Sequence, residues 1–306
     1  MQRLIALTGL GLALSGTLSA LSFTIDYRYD IEGFFSGENA WRRAPLEGAA
    51  LALENLLQDE FTAIQTGGGN AYDMGFYHPG TDLEFYAPGL DIAADTLLVF
   101  AGALALPDNV LAYGGPGWYE NATGSNAFLE SLHRGQGDVW SEGATDFGSW
   151  GGAISFDSEI DWYFDDDVST LEAFPGQFDL YTVALHELIH LLGLGTAESW
   201  FTLVGEDGLF HGAASSALNG EPVPVSEDGS HWGPGIDSTT LEGEEQAALL
   251  APYLSAGQRK EVTALDLAGL ADLGYEPRYP QVPEPRAIAL LAGLAALALG
   301  ACRRRR

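Results

Sequence analysis

The stretch richest in chemistry is Leu180-Tyr-Thr-Val-Ala-Leu-His186-Glu187-Leu-Ile-His190-Leu-Leu-Gly193. Its apolar spacing and closing glycine predict a helix that stops where the chain can turn away. Residues four apart share a helix face, so His186 and His190 point the same way and can share one metal ion. Glu187 sits beside them, placed to handle the proton of a metal-bound water. Residues of these types in this order point to hydrolysis, with the metal as Lewis acid and the carboxylate as base.

A catalytic zinc needs three protein ligands and an open position. The helix supplies two. The only cysteine, Cys302, lies in the extreme tail, so the third ligand must be His, Asp or Glu. A compact arrangement would put it at position 196, where Thr196 stands as a poor ligand. Of the six histidines, His78 and His133 lie upstream in loop-like contexts, where hydrogen-bonding roles are the simpler expectation. Downstream, residue type and order leave three candidates open: Glu198, His211 in Leu209-Phe-His-Gly212, and His231 in Gly229-Ser-His-Trp232.

The elements that must position these groups read as follows. Ser22 to Arg28 alternates as a strand, and Leu46 to Ile64 carries an apolar stripe at helical spacing behind Pro45. Thr96 to Leu106 is a continuous apolar run, a buried strand. Leu111-Ala-Tyr-Gly-Gly-Pro-Gly-Trp118 reads as a structural glycine-rich loop without the Lys-Ser/Thr ending of a phosphate-binding loop. Gly152 to Phe156 is a short strand, and the His-Glu helix begins near Gln177. Between them the acidic segment Asp157 to Asp167 could bind Ca2+ through carboxylates, though it lacks EF-hand spacing, and a solvated acidic face is the simpler reading. The order describes one α+β domain: a mixed sheet, an active-site helix and a loop-rich C-terminal lobe, with a cleft between two lobes.

The chain of 306 residues has a formal net charge of −30, and 42 of its 43 acidic residues but only seven of its 13 basic ones lie between residues 23 and 283. So acidic a body repels nucleic acid and anionic membranes and attracts cations. The ends read as addresses. Residues 1–22 have the positive start, apolar run and small-x-small site of a secretory signal peptide. In residues 282–306, Val282-Pro283-Glu284-Pro285-Arg286 precedes the uncharged run Ala287 to Cys302 and the cluster Arg303 to Arg306. This tail resembles the PEP-CTERM sorting signal of Gram-negative bacteria. The resemblance implies a transient membrane-spanning helix in the inner membrane, processing by an exosortase-type enzyme, and a body that ends extracellular or in the cell envelope.

The catalytic domain is then residues 23–281, and its second half carries a further resemblance. Ser230-His231-Trp232 is followed by Ala247-Ala-Leu-Leu-Ala-Pro252 and by Val262-Thr-Ala-Leu-Asp-Leu-Ala-Gly-Leu-Ala-Asp-Leu-Gly-Tyr275. Over Tyr181 to Tyr275 the chain resembles leishmanolysin-type metzincins, zinc peptidases in which an insertion separates the helix from a third ligand in a Ser/Ala-His-Trp. The resemblance implies zinc ligands His186, His190 and His231, with Glu187 as general base toward a zinc-activated water. It implies a secreted or envelope-associated endopeptidase acting on protein or peptide substrates. Leu250 stands where the family has a methionine beneath the metal, a tolerable change of apolar volume, and Tyr253 is a candidate oxyanion partner. The alternative is a non-catalytic surface or matrix protein that keeps the zinc-binding scaffold.

Overall fold

The computed structural model describes residues 21–136 and 145–278; the expected sorting tail, and all of the expected signal segment except Leu21 and Ser22, lie outside them. Leu21 is buried in the core, and Ser22 opens the first strand, β1 (Ser22–Asp26). There follow α1 (Ala44–Glu54), β2 (Ala71–Tyr77), β3 (Glu84–Pro88), β4 (Thr96–Leu104), β5 (Ala112–Pro116), β6 (Trp118–Thr123), α2 (Asn126–Ser131), β7 (Gly151–Asp157) and α3 (Leu180–Leu191). The C-terminal part holds α4 (Glu198–Leu203), α5 (Ala213–Asn219) and α6 (Ala264–Asp272), joined by short two-stranded pairs. The architecture is α+β with several sheets. Among the described residues no helix is long and apolar enough to cross a membrane.

The main sheet has the order β1-β4-β7-β5. The first three strands are parallel and β5 runs antiparallel along the edge. The continuous apolar run of β4 is explained by burial on both faces. Leu97, Val99, Ala101 and Ala103 pack with the helices, among them Leu46 and Leu53 of α1 and Leu185 and Leu188 of α3. Leu98 and Phe100 face the other way, against Met74 and Phe76 of a second sheet, β3-β2-β6. Helices, central sheet and second sheet thus form three layers, and α3 lies over β5 and β7.

Three elements differ from the sequence reading. The helix expected over Leu46 to Ile64 spans only Ala44–Glu54. Beyond it the chain leaves the helical ladder for partners far away: Gln58 N donates to Glu276 O and Ile64 pairs with Ile92. Leu57, Phe61 and Ile64 are still buried, so the stripe reported burial rather than helix. The glycine-rich segment is not a loop but the edge strand β5. The metal helix begins at Leu180 rather than near Gln177, because Phe178–Asp179 pairs in parallel with Trp162–Tyr163 and Asp179 caps the helix.

The C-terminal end of the body is clamped by one buried acid. Both oxygens of Asp59 accept the Glu276 N–H, at 3.1 and 3.2 Å, and burial pushes its carboxyl up to about 6. A carboxyl whose folded pKa exceeds its unfolded value of about 3.9 binds more protons folded than unfolded between the two, so it lowers stability as pH rises through that window and costs a constant amount above it. Asp59→Asn keeps an acceptor and removes the charge. In urea denaturation it should match the parent near pH 4 and exceed it by on the order of 1–2 kcal/mol at pH 7; an advantage that does not change with pH would contradict this.

Candidate metal centre

α3 is held at both ends. At its start Asp179 accepts from Thr182 N and Oγ1 and is gripped by Arg259, whose Nε and Nη2 donate to its two oxygens at 2.8 and 2.9 Å. Arg259 Nη2 also donates to Asp165 at 2.8 Å, joining the acidic segment to the helix. All three charges are almost fully buried, where losing one partner is far more costly than losing a surface ion pair. At its far end Thr196 Oγ1 donates to His190 O at 2.6 Å. The residue in the compact ligand position therefore caps the helix.

His186, His190 and His231 come together as one potential metal-holding group. His186 Nδ1 donates to Leu249 O at 2.8 Å and His190 Nδ1 to Leu194 O at 2.9 Å. A carbonyl can only accept, so in both rings the proton sits on Nδ1 and the Nε2 lone pair is bare. His231 Nδ1 lies 2.9 Å from Ser230 Oγ and 3.7 Å from the Asp228 carboxylate, which favours the same tautomer. Burial and then the neighbouring rings hold His186 well below the ordinary imidazole range. Burial and the His231 ring take His190 down to about 3, and burial lowers His231. All three rings are therefore neutral donors.

The Nε2 atoms of His186 and His190 are 3.1 Å apart, and those of His190 and His231 3.2 Å. Neither contact is a hydrogen bond, because no proton lies between bare lone pairs. Three such lone pairs aimed at one another repel unless a cation sits at their focus. Tetrahedral zinc with Zn–N near 2.0–2.1 Å requires ligand nitrogens about 3.3 Å apart, close to what is found. The donor set fits zinc.

One carboxylate sets two of these rings. Asp266 is fully buried. Its Oδ1 accepts from Trp232 Nε1 and Leu250 N, each at 3.1 Å, and its Oδ2 from Leu249 N at 3.0 Å and from Thr263 N and Oγ1 at 2.9 and 2.6 Å. Leu249 then presents its carbonyl to His186, and Trp232 adjoins His231, with Trp232 N donating to Leu250 O at 3.1 Å. Leu250 itself is fully buried.

Glu187 is buried against the edge strand. Burial pushes its pKa up to about 8, an effect the adjacent Gly114 backbone only partly offsets. A Cβ on Gly114 would sit 2.7 Å from Glu187 Cβ and 2.9 Å from Oε2, so β5 can approach α3 this closely only with glycine there. Sequence reasoning missed Gly114 by taking the segment as a loop. Ala112-Tyr-Gly-Gly-Pro116 carried no local strand signal that could have found it.

A cleft of about 1300 Å³ runs along β5, lined by Tyr113 to Trp118 on one side and by Thr196 to Ser199 on another. Of the other candidates, Glu198 is exposed on this cleft and His211 bonds to Asp207 at 3.1 Å. His78 accepts from Gly80 N and stacks edgewise on Tyr29, while Tyr253 is 75% exposed and offers its carbonyl to Lys260 Nζ. The acidic segment gathers no calcium ligand set among the described residues: Asp157 accepts from backbone N–H groups, Asp161 from Gln177 and Asp165 from Arg259. No protein-family model, curated protein or solved structure matches the chain.

Asp266→Asn should tilt the two segments that orient His186 and His231, since an amide puts an N–H2 against donors that now share a carboxylate. Competition with a chromophoric chelator should find zinc bound about 10- to 100-fold more weakly, and His231→Ala weaker still. Parent-like affinity in a folded Asp266→Asn would contradict the positioning role.

Proposed function

We propose that the chain is a metzincin-like, zinc-dependent endopeptidase. The observation that carries this reading is the convergence of three unprotonated Nε2 atoms, with a buried carboxylate next in sequence to one of them and a cleft that reaches Gly114 beside that carboxylate. His186, His190 and His231 would hold the zinc, which would supply a Lewis acid for the scissile carbonyl and a positive charge favouring the ionised form of Glu187. Glu187 then takes a proton from the attacking water as its oxygen bonds to the carbonyl carbon, and passes that proton to the amine as the C–N bond breaks. The close approach of Gly114 leaves the carboxylate room between α3 and β5 for both transfers.

The direction in which substrate lies follows from the sheet. β5 pairs with β7 on one side only, so among the described strands its other edge is free. An extended polypeptide can add to such an edge through backbone hydrogen bonds, which would carry its scissile bond past Glu187. With the export that the terminal segments suggest, the substrate would be met outside the cytoplasm.

The test uses the full chain, its zinc content, and cleavage of a denatured protein. The parent should hold one zinc and cleave; Glu187→Ala should keep the zinc and lose turnover by at least about 10²- to 10⁴-fold. A folded, metal-free parent would overturn the reading, and zinc without cleavage would favour the scaffold alternative. Gly114→Ala should also keep its zinc while turnover falls by on the order of 10- to 100-fold, because the added methyl displaces Glu187 rather than a ligand.

A further inference from the structure

The far end of the cleft is built by the second sheet. Pairing places Tyr86 and Trp118 on either side of Gly75, and Glu84 opposite Tyr77, on the face away from buried Met74 and Phe76. A Cβ on Gly75 would lie 2.2 Å from Trp118 Nε1, so the indole lies across the strand where any other residue would lift it. Tyr77 and Tyr86 stand edgewise to it, with ring centroids 5.7 and 6.0 Å away at 64° and 81°. Both tyrosines remain open, 53% and 43% exposed. The indole and the two tyrosines inclined to it, Tyr86 with its hydroxyl donating to Glu120 Oε1 at 3.3 Å, form an open corner.

Two carboxylates close that corner. Glu84 and Asp82 line the same cleft as Tyr77 and Trp118. Asp82 ends the tight turn after β2 in the left-handed region, at φ 53°, and is half-buried. Burial without a compensating partner raises its carboxyl above the ordinary range. Neither side chain makes a hydrogen bond or ion pair among the described residues, and no Lys or Arg lines the cleft. Three of the seven cations of the described body are engaged elsewhere: Arg259 on Asp179 and Asp165, Arg28 on Asp26, Lys260 on a backbone carbonyl. An apolar ligand would strip water from these carboxylates and return nothing. A cation satisfies both features, through charge-assisted hydrogen bonds to the acids and attraction to the indole and phenol faces.

We propose that Trp118, Tyr77, Glu84 and Asp82 form a subsite for a Lys or Arg side chain of the substrate polypeptide. The polypeptide nature of the ligand rests on the peptidase reading above; the cationic character rests on the subsite alone. The subsite lies in the same cleft as Gly114, so a basic side chain held there belongs to the segment being presented to Glu187.

The test is binding of labelled peptides to full-length Glu187→Gln, which cannot turn them over, followed by fluorescence anisotropy at low and high salt. The peptides are identical except at one position, which carries Arg, its neutral isostere citrulline, or Glu. The Arg peptide should bind about tenfold more tightly than the citrulline peptide, an advantage that shrinks with salt. It should vanish in Asp82→Asn/Glu84→Gln and fall in Trp118→Ala. A control that neutralises four exposed acids elsewhere (Glu32, Glu60, Asp108 and Glu206) should keep it. Equal binding of Arg and citrulline overturns the subsite. So does an advantage that survives Asp82→Asn/Glu84→Gln, which would then be general attraction to an acidic chain, and so does tighter binding of a neutral oligosaccharide than of any peptide. Cleavage by the zinc-loaded parent separates the two readings. If all three peptides are cut at equal rates, the subsite fails and the peptidase stands; if Arg is preferred in binding and nothing is cut, the peptidase fails and the subsite stands.

Discussion

One buried carboxylate holds the metal-site half of the molecule together. Asp266 accepts from donors in three separate segments: its own helix cap at Thr263, the Leu249–Leu250 turn, and the Trp232 indole. A carboxylate this deep is tolerable only because its lone pairs are all engaged, and the same engagement ties the segments to one another. Two of them orient imidazoles. The C-terminal part contains little regular structure, so sheet or helix ladders cannot supply that precision, and an ionised acceptor with fixed donors does.

The helix and the edge strand solve a second positional problem. On the proposed reading a base must stand beside the metal ligands without ligating. Glu187 lies between His186 and His190 on α3, so the helical turn aims it away from the focus of the two rings and toward β5. There it meets Gly114, whose missing side chain leaves room for it. Among the described strands β5 stands last in its sheet, paired with β7 alone, so the strand that meets Glu187 also leaves one edge without a strand partner.

Legibility in the sequence followed the range of the interactions. His186, Glu187 and His190 could be read because helical period is local, and β4 because a long apolar run between turns has few alternatives. The helix over Leu46 to Ile64 was overextended because apolar spacing records burial, whereas Gln58 N bonds to Glu276 O across the whole chain. β5 went unread as a strand because glycines and a proline carry no β-propensity; its pairing with β7 and its approach to Glu187 are tertiary facts. The alternation of Tyr72, Met74 and Phe76 was a strand signal left unused. The approach of His231 to the helix pair was not deducible from spacing, since nothing local fixes where a long insertion returns.

That insertion is the strongest test of whether the site is physically coherent. His231 follows His190 by 41 residues, against six in a compact arrangement. Closure entropy rises only with the logarithm of loop length, so the extra residues cost about 1.7 kcal/mol. Against this, the insertion carries its own core. Trp200, Phe210 and Trp232 are fully buried, with Trp200 stacked on Phe210 at 4.3 Å and set edgewise to Trp232 at 4.9 Å. Each ring buries enough surface to contribute on the order of 4 kcal/mol, about twice the closure cost. Trp200 Nε1 also donates to Gly229 O at 2.7 Å, two residues before the histidine. The return of His231 is therefore governed by aromatic packing and one indole hydrogen bond, and the length of chain between the ligands scarcely enters the balance.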